Sequence, residues 1–544
     1  MVGDGDVCEK PVKEVKSLTF TPELQDAESA DLTQKFAEYV TKAAQFSRAC
    51  EEALTEMLVT GIAGTIIMGF MWVIFLWLFA GVIVFVALTV LVVTLLIITV
   101  ICYVRAGWTP NPDDFFNSTD VTPNLGEYNY ENLATTDNRT AYAVMAVIMT
   151  ILLAIVLIML AMWRKCIVRC VAIIRESTKV FKLIPSMMIW PLVSIVFLTA
   201  TYFWAFLVAA YIFYVDEDTY AENLDKLQTA IKEYSSGDAA SHLDSDPSTQ
   251  KWVLFWVHIF GVLWVVEFIR ACTWITMSGA VCYWFFFHGR DDAADKQERF
   301  PLLSSCKRVL RYHLGSAAFG ALIIAICQLI RYMLATLDYY TKDVQNTNLI
   351  FKLAIKCSQC AMWCLQKTIE FVSYFGFVYI ALNGTSFCAS CKETFKFLLT
   401  PKNAMQTAVN KVVEKLIILI IAWTTPTFMS LICYAWLSGN DEYTADNNPL
   451  YPCIIVWVGS FALAGAIATV FECTIDTIFL CSFRDAAKFN GKYMSDDMKA
   501  AFDINEEEME KMGISAVQTS ADYKEHHELA EKKQAEGAEP TIHT

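Results

Sequence analysis

Residues 57–79 and 82–104 are two long apolar runs set almost end to end, the first reading "MLVTGIAGTIIMGFMWVIFLWLF". A run of about 20 apolar residues is long enough to cross the hydrocarbon core of a bilayer as a helix. An isolated strand in the same place would leave its backbone N–H and C=O groups unpaired in lipid. Comparable runs recur at 141–163, 187–214, 252–287, 315–337, 370–391, 412–437 and 452–482. The fold expected is therefore all-α: a polytopic transmembrane helical bundle with about nine spans. Composition agrees, with 56% hydrophobic and only 18% charged residues, against roughly a quarter charged in soluble domains. The fifth and last runs exceed one crossing and are expected to tilt, kink or extend past the bilayer. The seventh is polar, Gly-interrupted and preceded by the amphipathic stretch 351–369.

Loop charge gives an orientation. Segments 164–182, 290–311 and 392–415 are rich in Arg and Lys, and such loops stay cytoplasmic. The alternate loops 105–140, 215–250 and 438–451 are acidic or neutral, and the first carries the sequons at Asn117 and Asn138. Both are glycosylation candidates on an outer face. The chain then divides into an acidic N-terminal segment 1–56, helical in part, a transmembrane transporter domain 57–483 and a cytoplasmic C-terminal tail 484–544. With a tight hairpin between the first two spans, segment 1–56 is expected outside. No signal-peptide pattern is visible in it.

Several function classes fall away. A net charge of −15 argues against nucleic-acid binding. The chain has no phosphate-gripping Gly-rich loop, no HExxH and no nucleophile elbow, so neither an enzyme nor a nucleotide-driven pump is expected, and no cofactor. Most of the 18 cysteines lie in apolar runs or beside cytoplasmic loops, where free thiols act as small hydrophobes. The pairs Cys357/Cys360 and Cys388/Cys391 lack the turn residues of a zinc site. A helix face or juxtamembrane acylation suits them better, and no metal is expected.

The chemistry is sought in polar groups within apolar runs, because each such charge costs roughly 2.5–3.5 kcal/mol at the midplane. Ala317, Ala321 and Ala325, with Ser316 and Gly320 beside them, form a thin side on which a second helix can pack closely. Gln328 and Tyr332 continue that side. Gln328 either bonds a neighbouring helix or lines a path for a polar solute. Arg331 is expected to reach the interface by snorkelling. His313, at the cytoplasmic mouth, is either a gate or proton acceptor or an interfacial partner. Glu267 and Arg270 share a helix side, as an ion pair would. Glu472 and Asp476 stand at i and i+4 and repel, so a proton, a cation or a basic partner should neutralise them. Rings are dense nearby; Trp204, Tyr211 and Trp264 lie well within spans and could face a quaternary ammonium, while Trp252 and Trp284 read as interfacial belt residues.

One stretch, "FPLLSSCKRVLRYHLGSAAFGALIIAICQLIR", resembles the Arg-Tyr-His-x-Gly-Ser segment of choline transporter-like proteins. "CAMWCLQKTIEF", "YIALNGTSFCAS" and "CTIDTIFLCSFRDAAKFNG" are similar to later elements of that family and follow in the same order. The resemblance covers about residues 60 to 500. It implies a plasma-membrane or organellar carrier for choline or a related small organic cation, exchanging for protons, with about ten spans. On it, the family's first span and large extracellular loop have no counterpart here, which accounts for the outward placing of 1–56. Gln366 stands where the family pattern has Glu, and Glu267, Arg270 and Glu472 are charged where neutral residues are expected. The reading is secondary transport, with Trp204, Tyr211, Trp264, Glu267, Gln328 and Glu472 as substrate-binding candidates and His313 and Asp476 as gating or proton-coupling candidates. The alternative is a non-transporting membrane scaffold that keeps the fold. The oligomeric state is left open.

Overall fold

A computed structural model describes residues 27–108, 139–214, 247–287 and 298–502, together with residues 222, 226 and 504. Asn117 and Asn138 lie outside the described residues, as does most of the tail beyond 504. The described elements are helices. α1 is Ala27–Glu52, α2 Leu54–Leu58, α3 Thr65–Ala106, α4 Arg139–Met162, α5 Arg164–Leu183, α6 Ser186–Tyr214 and α7 Pro247–Phe287. There follow α8 Pro301–Arg308, α9 Leu314–Tyr340, α10 Lys342–Thr347, α11 Leu349–Asn383 and α12 Phe387–Leu399. α13 Pro401–Ser438, α14 Asp441–Asp446, α15 Leu450–Lys488 and α16 Asp496–Ala501 complete the order. π-helical turns at Val59–Gly64 and Val309–His313 lead into α3 and α9.

Among the described residues, seven helical stretches are long and apolar enough to cross a membrane, or eight if α11 with α12, bent by 110°, counts as one span. One of the seven, Leu54–Ala106, is 53 residues long, enough length for two crossings of about 20 residues each. The chain is an integral membrane protein. The two expected spans 57–79 and 82–104 are two helices that meet at a kink. The link "LFAGV" offers one Gly and no Pro, Asn or Asp, and the helix breaks only at Phe79 (φ −121°, ψ 21°).

Two further boundaries differ from expectation. The span placed at 370–391 begins at Leu349, where Asn348 caps the helix by accepting a hydrogen bond from the Phe351 amide at 3.2 Å. The amphipathic stretch 351–369 contains no breaker, so it belongs to the same helix. Gly384 then adopts φ +67° and closes α11, a left-handed turn that suits glycine. The span expected from 412 begins at Pro401, at the first helical position, where its fixed φ and missing N–H are tolerated. The basic residues after 401 therefore sit on a helix.

The chain separates into two compact units, Met1–Ile74 with Ile418–Thr469, and Phe75–Ile417 with Val470–Thr544. In the first, Ala53, Met429, Cys433, Leu437, Cys453 and Val456 form the core, and Tyr443 donates its hydroxyl to the Ala49 carbonyl at 2.8 Å. In the second, α7 packs against α6, α9 and α11, and α9 also against α11. Ala317, Ala321 and Ala325 are fully buried. A side chain on Gly320 would come within 2.8 Å of the Phe377 and Phe387 rings, so this thin side exists to let α9 approach its neighbours. The described cysteines are free thiols.

Candidate functional site

The facing sides of α7 and α9 carry two stripes that match in spacing. Trp252, Phe255, Trp256, Ile259, Val262 and Leu263 recur three or four apart on α7; Tyr332, Ala335, Thr336, Tyr339 and Tyr340 do so on α9. That spacing puts each set on one helix face. Together they wall a cleft of about 640 Å³ whose described lining carries no charge. Trp252 and Trp256 each lie 6.0 Å from Phe255, edge to face. The Lys342 ammonium lies 4.9 Å from the centre of the Tyr339 ring, so a ring of this wall already meets a cation.

The seam continues past Leu263 and Tyr332 into a polar cavity of about 130 Å³. Glu267, one turn beyond Leu263, and Gln328, one turn before Tyr332, meet there. Glu267 is 3% exposed, and its Oε1 accepts hydrogen bonds from Arg270 Nη1 at 2.8 Å and Gln328 Nε2 at 2.9 Å. Arg331, expected to snorkel, turns inward instead and donates to Gln366 Oε1 at 2.9 Å. Gln366 in turn donates to Glu370 Oε1 at 2.6 Å, and Lys367 pairs with the other oxygen at 2.7 Å. Turning inward satisfies a guanidinium at a depth where lipid offers it no acceptor. Glu267, Arg270 and Arg331 leave the cavity lining with one positive charge in excess.

A second cluster joins α13 and α15. Lys411 Nζ lies 2.5 Å from Asp476 Oδ2, 3.2 Å from Glu414 Oε2 and 3.5 Å from Glu472 Oε1. Lys415 Nζ reaches Glu472 Oε1 at 2.7 Å. Glu472 and Asp476, repelling neighbours in sequence, thus share a basic partner. The three carboxylates lie within 4.8 Å of one another, a spacing that could hold a cation, but the Lys411 ammonium already stands among them. Three acids against two lysines leave one negative charge in excess. Lys411 also lies 5.4 Å from the Phe375 ring of α11. Beside it on α11, Tyr374 packs on Trp274 at 4.7 Å and lies within electrostatic reach of Glu267, Arg270, Glu370 and Glu472.

The sequence-derived candidates are placed as follows. Glu267 and Gln328 are brought together, as are Glu472 and Asp476, in two separate clusters. Trp264 donates its indole N–H to the Ala318 carbonyl at 2.9 Å. Trp204 and Tyr211 are 65% and 58% exposed on α6 and do not line the cleft. His313 ends the π-helical turn before α9. Sequence reasoning passed over Tyr339 and Tyr340, beyond the expected end of their span, and took Trp252 for a belt residue. It also took Lys411 and Lys415 for loop charge and did not single out Glu414. The signal was present: "KVVEK" leads without a breaker into "LIILIIAW", which puts all three on a continuing helix.

A family model described as plasma-membrane choline transporter matches residues 147–487. The chain belongs to that family. It is a family of transporters rather than enzymes. Among its relatives is choline transporter-like protein 4 of Xenopus laevis, 26% identical over 465 residues that cover 80% of this chain and 63% of that protein. Choline transporter-like protein 2 of Sus scrofa is 28% identical over 380 residues, 65% of this chain and 52% of its own length. Choline transporter-like protein 1 of Xenopus laevis is 28% identical over 359 residues, 65% of this chain and 50% of its own length. The chain thus spans between half and two-thirds of these relatives. The matched region holds the cleft, the polar cavity and the acid–lysine cluster.

Proposed function

We propose that this protein is a secondary transporter of choline or a closely related organic cation, acting at the plasma membrane. The aromatic cleft between α7 and α9, ending on a polar floor, carries the reading. A quaternary ammonium has no N–H to donate, so ring faces are the groups that can hold it. Each desolvated ring contributes up to about 2 kcal/mol. Three give roughly 6 kcal/mol, tens of micromolar before entropic costs, which suits a carrier that must release its cargo. With the ammonium among Trp252, Trp256 and Tyr332, the hydroxyl points to the floor. There Gln328 and Arg331 donate and Glu267 accepts.

The acid–lysine cluster takes the coupling role. Its groups already touch, so a proton is the ligand that adds charge there without needing room. Uptake of radiolabelled choline into proteoliposomes, with and without a pH gradient, tests this. Uptake above protein-free liposomes, enhanced by an opposing proton gradient, is expected. No uptake under either condition overturns transport and leaves a scaffold that keeps the fold. Uptake indifferent to the gradient removes the coupling role alone.

A further inference from the structure

At the end of the second unit remote from the aromatic cleft, a pocket of about 420 Å³ opens among α5, α11, α12, α13 and α15. Four of its lining residues are cationic: Arg169, Lys402, Arg484 and Lys488; one, Glu393, is acidic. That acid is paired outside the set, with Lys396 Nζ at 3.0 Å. The lining therefore carries three positive charges in excess. Several charges of one sign around one cavity repel, and an anion placed among them relieves that repulsion. The positive end of the α13 dipole adds to the field, since Lys402 lies in its first turn.

The pocket is built, not a scatter of surface charge. Arg169 is 7% exposed, donates Nε–H to the Ala501 carbonyl at 3.1 Å and stacks 5.6 Å from the Phe502 ring centre. Arg484 donates to Asn383 Oδ1. Asn403 is held by its side-chain N–H to the Phe397 carbonyl at 3.2 Å. One wall is apolar: Phe397 and Phe502 each lie 5.4 Å from Phe483. Guanidinium forks and ammonium groups beside a hydrophobic wall match a phosphorylated headgroup attached to a lipid stem.

We propose that this pocket binds a phosphate-bearing anion, the headgroup of a polyphosphorylated inositol lipid or the equivalent soluble inositol phosphate, at the cytoplasmic face of the membrane. The site uses no residue of the cleft or of the acid–lysine cluster, so it stands independently of the transport reading. Its position on the amphipathic helix α5 and on the ends of α11, α13 and α15 makes it a place where leaflet composition bears on the bundle.

The test uses the full chain purified in detergent. Binding is measured for a short-chain phosphatidylinositol bisphosphate, soluble inositol trisphosphate, inorganic phosphate and a phosphatidylcholine control. A lysine near a charged surface is worth about 1 kcal/mol, roughly fivefold in affinity. Lys402→Gln with Lys488→Gln together should therefore weaken phosphate-ligand binding about 25-fold. Both lysines are exposed, so the variant should melt as the wild type does without ligand. Lys356→Gln, paired with Asp338 elsewhere, should leave binding unchanged. Binding of the lipid and not of the soluble headgroup assigns the site to the leaflet; equal binding of the two assigns it to a free inositol phosphate. Failure of every phosphate ligand to bind more tightly than phosphatidylcholine overturns the proposal. So does equal affinity in the wild type and the double lysine variant. If the double variant melts lower, Arg484→Gln is read in its place, by the same criterion.

Discussion

The two polar clusters inside the second unit solve the same problem in opposite ways. Around Glu267, one carboxylate is met by guanidinium and amide donors, and a cavity of about 130 Å³ remains beside them. Around Lys411, three carboxylates and two ammonium groups touch directly, from 2.5 to 3.5 Å. The first leaves room and hydrogen-bonding capacity for a solute. The second is closely packed with an acid in excess and has no amide donor beside an open cavity to read a hydroxyl. Solute recognition and charge coupling are thus assigned to different places, and that separation can be broken by mutation.

The largest effect is expected at Lys411. Removing one partner of a buried ion pair costs about 3–5 kcal/mol, because it leaves charges uncompensated. Lys411→Met should therefore lower the melting temperature sharply in a detergent-solubilised thermal scan, and Lys411→Met with Asp476→Asn should recover part of the loss. An unchanged melt in the single variant contradicts the cluster's internal balance. At Glu267 the cost is smaller, about 1.5–3 kcal/mol for the lost charge-assisted hydrogen bonds, because the half-exposed Arg270 side chain has the adjoining cavity to shift into. Thermal scans of Glu267→Gln should fall between wild type and Lys411→Met.

Function separates the clusters further. Glu414→Gln, which takes one acid from the excess, should flatten the pH dependence of proteoliposome uptake, whereas Glu267→Gln should weaken uptake and keep its pH profile. The reverse outcome exchanges the two roles. The smallest effect is expected from Lys342→Gln. That lysine holds the Tyr339 ring, a fourth ring of the cleft wall that its removal would free for the ammonium, and an exposed cation–π contact is worth about 0.5–1 kcal/mol. Choline affinity should improve about two- to fivefold, read in an equilibrium binding titration.

What the sequence disclosed, and what it hid, follows the same division. The long apolar runs made the helices legible, and the row Ala317, Ala321, Ala325 announced a close helix contact. Glu267, Gln328, Glu472 and Asp476 stood out because charge and amide groups are costly in an apolar run. Lys411 and Lys415 did not stand out, since a lysine at the edge of a run looks the same whether it solvates a loop or enters a helix. Pro401 decided that question by starting α13 eleven residues earlier. The rings were the least legible. Trp204 lies well within its run and Trp252 at the start of its own, yet it is Trp252 that lines the cleft; the rotation of α6 and α7 separates an outward ring from a lining one. Arg331 was misplaced for a related reason: snorkelling is the default for a lone arginine, and Gln366, 35 residues on, is a partner that no local pattern reveals.

The claim that an organic cation rests among the rings between α7 and α9 is tested most directly by equilibrium binding of radiolabelled choline to the purified protein. Wild type is compared with Trp256→Ala and Trp256→Phe. Loss of one desolvated ring contact, about 1.4–2 kcal/mol, should raise the dissociation constant at least tenfold in Trp256→Ala, with Trp256→Phe in between and all three melting alike. Equal choline affinity in the three proteins would contradict the account.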